Sequence, residues 1–239
     1  MSKSKDLKQF PLSSKQNCIV YLYKIITSSE LCMDTFKEYN KETKRILDQY
    51  KDQSLIPAKI YQEVCNKTYD IMSYLLNLLG DAQTSSISYF KYRNQIQKRI
   101  KKGLTDIPIN DLSDDVNSLI AEFNKARNWL NHVPESLLVA EMDLIKQGNA
   151  DISFDPVIIV HHNYATFEYF EHLYLSNLEF YQQARKIIQA AKKDYALLMG
   201  KSITYRRIYT DKPYDISRAE AAKKSAKVQG LSSKEIDSL

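Results

Sequence analysis

The chain has 239 residues, enough for one domain with a substantial core and no need of a disulfide scaffold. Five Gly and six Pro are well under the ~12% share of an average protein, a scarcity of turn formers that excludes sandwiches, barrels, collagen-like chains and Gly/Pro-rich disorder. Thirty-four Lys+Arg against 29 Asp+Glu leave a net charge of +5, which favours an anionic partner while saying nothing about fold.

Residues 1–12 are polar and contain Pro11, and read as a flexible lead. Cys18, Ile19, Tyr21, Leu22, Ile25 and Ile26 recur at helical spacing and predict a first helix, with Ser28 or Ser29 capping a second that runs to about Gln53. Pro57 opens a third segment, whose wide apolar stripe from Ile60 to Leu79 predicts a core helix stopped by Gly80. Residues 84–102 form an amphipathic stretch in which Lys91, Arg93, Lys98, Arg99, Lys101 and Lys102 appear with no acid among them. A loop over 103–113 leads to the capping start Ser113-Asp-Asp and a helix over about 114–132, which Pro134 ends while opening another helix to about Gln147. Asp151 to Val160 has the one β-like composition in the chain, that of a short arm. An aromatic-rich helix then spans Tyr164 to Leu198 and is closed by Gly200. Beyond it, nine Lys+Arg and five Asp+Glu in a polar context predict an exposed or partly disordered basic extension. The expected fold is therefore all-α: an antiparallel helical bundle over 13–200, with a short β-like arm near 151–160 and a basic C-terminal extension over 201–239.

Cys18, Cys32 and Cys65 are odd in number, show no CxxC spacing and read as buried apolar residues in a reducing compartment. No stretch approaches the ~20 apolar residues of a membrane span, and no cleavage site follows the apolar run near the N-terminus, so the expected location is cytoplasmic, with no membrane partner. Phosphate-binding Gly-rich loops and serine-hydrolase or kinase signatures are missing from the sequence. Glu168 and His172 have a helical i, i+4 spacing that could serve a metal, and His161 and His162 lie nearby. Without HExxH or a cysteine partner, no metal and no cofactor is expected.

The chemistry-bearing segment is Ala126-Arg-Asn-Trp-Leu-Asn-His132. On a helical wheel Arg127, Asn128, Asn131 and His132 share one polar wedge, with Asn117 and Asn124 in the turns before it, while Val116, Leu119, Ile120 and Phe123 form the apolar stripe. Four uncharged amides on one strip suggest a partly buried seam whose groups pair with something, most simply a second copy of the helix. Asn128 stands one turn before His132 and could fix its tautomer, and the helix C-terminus favours imidazolium, a setting suited to acid–base work near neutral pH. An Arg and a His together fit RNA cleavage by ribose 2′-hydroxyl attack: the histidine moves protons, the guanidinium stabilises the anionic phosphorus centre, and no metal is required. A symmetric dimer would supply the base and the acid from two copies.

Arg127-Asn-x-x-x-His132 near a helix end of an all-helical protein resembles the Arg-x(4-6)-His motif of the HEPN superfamily. The resemblance matches the motif over six residues and the helical class over roughly 14–200. It implies a metal-independent ribonuclease site at a homodimer interface, with Arg127, Asn128 and His132 as its catalytic residues. It also implies RNA as substrate, a toxin–antitoxin or phage-defence setting, and a cognate antitoxin or regulatory protein as partner. Family members are often shorter, so 148–163 and the basic tail are additions, and some members keep the fold but lose the nuclease.

Lys91, Arg93, Lys98, Arg99, Lys101 and Lys102 are the candidate RNA-backbone contacts, expected to flank the cleft. Tyrosines such as Tyr164, Tyr169, Tyr174 and Tyr181 could stack bases, although that spacing also suits a core or interface. The alternative function is a catalytically silent helical interaction module, binding protein or nucleic acid through the asparagine seam or the basic helix.

Overall fold

Between Pro11 and Pro57 the sequence contains neither Gly nor Pro, and most of this stretch winds into one helix, α1 (Lys15–Tyr50), of 36 residues and about 54 Å. The computed structural model describes residues 9–130, 135–147 and 165–207, together with 221, 223–227 and 230. The Ser14 hydroxyl starts α1 by accepting from the Asn17 amide at 3.2 Å. No second helix begins at Ser28 or Ser29, contrary to the sequence expectation. Ser29 is instead a small buried residue within a continuous stripe that includes Cys18, Leu22, Ile25, Met33, Phe36, Asn40, Thr43 and Leu47. Residues so placed keep one register across both predicted segments. The neighbouring Thr27 hydroxyl donates back to the Tyr23 carbonyl of the same helix at 2.8 Å.

After a two-residue strand β1 (Leu55–Ile56), α2 (Ala58–Gly80) returns antiparallel to α1. A loop leads to α3 (Tyr89–Lys101), which begins at Ser88 rather than near Thr84. The Ser88 hydroxyl accepts from the Lys91 amide at 3.1 Å and donates to the Asp81 carbonyl, so it caps α3 and ties it to the end of α2. Then follow α4 (Asp114–Leu130), α5 (Glu135–Lys146), a second short strand β2 (Ala165–Thr166) and α6 (Phe167–Met199). Gly200 closes α6 in the left-handed conformation at φ 69°. The expected arm at 151–160 lies outside the described residues; the strand pairing that is described is antiparallel, Leu55 with Thr166 and Ile56 with Ala165.

The long helices α1, α2, α4 and α6 form an antiparallel bundle, confirming the all-α class. Phe180 of α6 stacks on Phe123 of α4 at 5.1 Å and meets Phe36 of α1 edge-on at 5.9 Å, joining three helices through one ring. A smaller cluster of Leu47, Ile56, Val64 and Phe170 fills the end nearest the strand pair.

At the opposite end the core contains a buried polar knot. Asp194 of α6 accepts from the Tyr89 hydroxyl at 2.8 Å, Arg93 at 2.9 Å, and the backbone and side-chain amides of Asn110, both at 3.0 Å. Arg93 also donates to the Asn110 carbonyl at 2.8 Å. The knot satisfies every charge it buries and clamps the 102–113 loop, whose Ile107 enters the core. The first residues after α6 fold back over α1: Arg207 pairs with Asp34 at 3.2 Å, and Lys192 sits 5.5 Å from the centre of the Tyr205 ring. No described helix is long and apolar enough to cross a membrane.

Candidate functional site

The Arg127 end of α4 is positioned by an unusually close approach to α2. A Cβ built on Gly80 would lie 2.6 Å from the Phe123 carbonyl carbon, 2.7 Å from its oxygen and 2.8 Å from the Asn124 nitrogen, all backbone atoms. As expected, α2 ends at Gly80, but Gly80 has no positive φ; it is glycine because two backbones meet there. The contact lets the Asn124 side-chain amide donate to the Gly80 carbonyl at 2.6 Å, satisfying one of the carbonyls left open at a helix C-terminus.

One turn further along α4, Arg127 reaches back along α2. Its Nε donates to Asn77 Oδ1 at 3.0 Å, and its Nη2 lies 3.5 Å from Asp81 Oδ2. Asn77 and Asp81 are four residues apart, so they present acceptors one above the other on the same face. Nη1 donates to Asn128 Oδ1 at 3.2 Å, and Asn128 itself faces outward. Arg127 therefore lies on the inward stripe with Ile120 and Phe123 rather than in a polar wedge separate from it. The asparagine seam is split accordingly. Asn124 is satisfied by α2 of the same chain, and Asn117 donates to the Leu112 carbonyl at 3.2 Å, so neither amide needs the second copy that the sequence suggested. Trp129 is 58% exposed. Asn131 and His132 lie outside the described residues.

Asp81, which sequence reasoning missed, connects this corner to α3. Its Oδ1 accepts from the Gln83 amide at 2.9 Å while its carbonyl takes the Ser88 hydroxyl. Its position four residues after Asn77 and directly after the last glycine of a core helix was the available signal. Lys91 completes the corner by donating from Nζ to the Thr84 carbonyl at 2.6 Å and the Ser86 carbonyl at 2.8 Å. Burial pulls the Lys91 ammonium below the usual lysine range, and the Asp81 carboxylate opposes that fall.

The basic stretch thus divides, which corrects its reading as a phosphate-contacting face. Lys91 and Arg93 are buried and engaged inside the fold, because they occupy inward positions beside Tyr89, Tyr92 and Ile96. Arg99 is half-buried, while Lys98, Lys101 and Lys102 remain exposed, about two to three turns beyond Lys91.

Burial pushes the Cys18 and Cys32 thiols up to about 11 and raises Cys65 as well, so none offers a thiolate nucleophile near neutral pH. Glu168 and His172 are both exposed, and no group of three metal-ligating side chains occurs among the described residues. The chain matches no protein-family model, no curated protein and no solved structure.

Proposed function

We propose that this chain is a metal-independent RNA endonuclease of the HEPN type that acts as a homodimer. Arg127 stabilises the phosphorus-centred anion, Asn128 orients the site and His132 transfers protons. In this chemistry the ribose 2′-oxygen bonds to phosphorus as the 5′-oxygen departs; one proton leaves the 2′-hydroxyl and another reaches the 5′-oxygen, a base and an acid that two His132 side chains can supply.

The mounting of Arg127 is the observation that supports this reading, and the comparison with Arg93 makes the point. Arg93 meets Asp194 at 2.9 Å with side-chain exposures of 6% and 0%, a sealed pair inside a saturated knot. Arg127 meets Asp81 at 3.5 Å, with exposures of 11% and 5%, through a single long contact. It is held from behind by Asn77 and linked to an outward-facing asparagine. A guanidinium fixed on its protein side but only loosely neutralised is suited to receive a phosphate.

The test is cleavage of a mixed RNA pool in EDTA by wild type and His132→Ala, with analysis of the product ends. Cleavage ending in 2′,3′-cyclic phosphates and lost in the variant is the expected result; no cleavage by a folded wild-type dimer would overturn the proposal. A silent interaction module is the second reading, favoured by the exposed Trp129 and the exposed Leu138, Val139 and Met142 on one side of α5. Persistence of a partner complex in a chain that never cleaves RNA would decide for it.

A further inference from the structure

A row of exposed cations on α1 shares a groove with aromatic rings of α6. Lys37, Lys41, Lys44 and Arg45 recur at i, i+4, i+7 and i+8, a row about 12 Å long on one side of the helix. They border a groove of about 380 Å³ whose opposite wall is Tyr174, Leu178 and Tyr181 of α6, themselves one stripe at i, i+4 and i+7. The wall is held firmly: Tyr181 is packed on the core ring of Phe36 at 6.2 Å between centroids, and Tyr174 leans on the Phe170 cluster. Both tyrosines are half-exposed, so each presents ring surface to the groove.

The charges along the groove are unevenly neutralised. Toward the N-terminal side, the acids Glu30 and Asp34 are taken up by Lys192 and Arg207. Between Lys37 and Asp48 four cations stand beside Glu38, Glu42 and Asp48, and Glu42 is taken up by Lys67 of α2. Lys41 pairs with Glu38 at 2.8 Å and Lys44 with Asp48 at 2.9 Å, and Glu171 also faces Lys44, but Lys37 and Arg45 form no ion pair with any described residue. The pairs that do form lie between exposed side chains on one helix, contacts that water and salt readily replace. The hydrogen bond from Lys41, aided by the charges of Lys41, Lys37 and Arg45, holds the Glu38 carboxyl below the usual range.

We infer that the α1–α6 groove binds single-stranded RNA, its bases stacking on Tyr174 and Tyr181 while the phosphates lie along Lys37, Lys41, Lys44 and Arg45. A row of cations facing a row of rings matches the alternation of phosphate and base along a single strand. A duplex hides its bases and an acidic peptide has no repeating rings, so neither uses both walls. The groove can hold a single strand whether or not Arg127 and His132 cleave it; the choice of RNA as that strand rests on the proposed function.

The test is fluorescence anisotropy with a labelled 2′-O-methyl RNA decamer, which cannot be cut by 2′-hydroxyl attack, on the wild-type chain and on folded variants. Tyr174→Ala should weaken binding roughly five- to a hundredfold, whereas Tyr174→Phe, which keeps the ring, should bind like wild type. Lys37→Gln with Arg45→Gln should lower the salt slope by about 0.7 for each phosphate left without its cation. Lys98→Gln with Lys101→Gln removes the same charge from α3 and should change affinity less than about twofold. Absence of binding, equal losses in the two paired variants, or Tyr174→Ala binding as well as wild type would overturn the inference. So would displacement of the decamer by polyglutamate or by uridine monophosphate at matched phosphate or carboxylate concentration, since either would mean the groove takes a simple anion or a free nucleotide.

Discussion

Replacing Gly80 by alanine tests the close crossing of α2 and α4 and the corner it builds. Elsewhere in a helix this change stabilises by ~1 kcal/mol, because alanine is the better helix former. Here the new methyl would meet backbone atoms at 2.6, 2.7 and 2.8 Å, and no rotamer change can relieve that. Restoring ordinary carbon contact requires α2 and α4 to separate by about 1 Å, a gap that forfeits a quarter to a half of the dispersion energy of the atoms pulled apart. Overpacking of this kind costs about 1–3 kcal/mol, and the immovable backbone puts this case toward the upper end. Stretching the 2.6 Å bond from Asn124 to the Gly80 carbonyl adds roughly 1 kcal/mol. The propensity gain offsets about that much, leaving a net loss of about 2–3 kcal/mol, or roughly 5–10 °C in Tm for a chain of this size. Urea unfolding and a thermal scan of both proteins measure it. A Gly80→Ala protein as stable as wild type, or more so, would refute the assignment of this glycine to a backbone crossing.

The two arginine–aspartate pairs should respond unequally. Asp194→Ala leaves Arg93 buried without its carboxylate and removes an acceptor from Tyr89 and Asn110, a loss of about 3–5 kcal/mol, whereas Asp81→Ala should cost about 1–2 kcal/mol because its contact with Arg127 is single and 3.5 Å long. Comparison of urea midpoints checks the order, and a costlier Asp81 variant would undo the contrast on which the role of Arg127 rests. At alkaline pH the buried tyrosines should dominate stability. Burial raises Tyr21 to about 12 and Tyr89 and Tyr92 further, from an ordinary value of 10.0. The unfolded chain releases these protons first, so the stabilisation is complete below pH ~10 and is lost as pH rises toward the folded values. Near-ultraviolet absorbance should therefore show exposed tyrosines ionising first and these three only together with unfolding, as followed by circular dichroism; smooth titration of all the tyrosines in a folded chain would contradict their burial.

The all-α class, the long aromatic helix ending at Gly200 and the start of α4 at Asp114 were legible from periodicity and punctuation alone, because apolar spacing, Gly and Pro act within a few residues of where they stand. The same local signals misplaced the break at Ser28 and Ser29, where a serine that caps one helix elsewhere becomes a small residue in a continuous buried stripe. Composition also located the basic segment, but not which of its cations reach solvent. Lys91 and Arg93 turn inward because Asp194, a hundred residues away in the chain, and the carbonyls of the 81–88 loop lie beside them only once α3 is docked. The motif Arg127-Asn-x-x-x-His132 can be read directly from the sequence. That Arg127 is held by Asn77 and Asp81, and that Lys37 and Arg45 face Tyr174 and Tyr181, depends on which helices pack together and how closely. That choice is made by long-range burial and by a single glycine crossing, neither of which has a period that a local reading can detect.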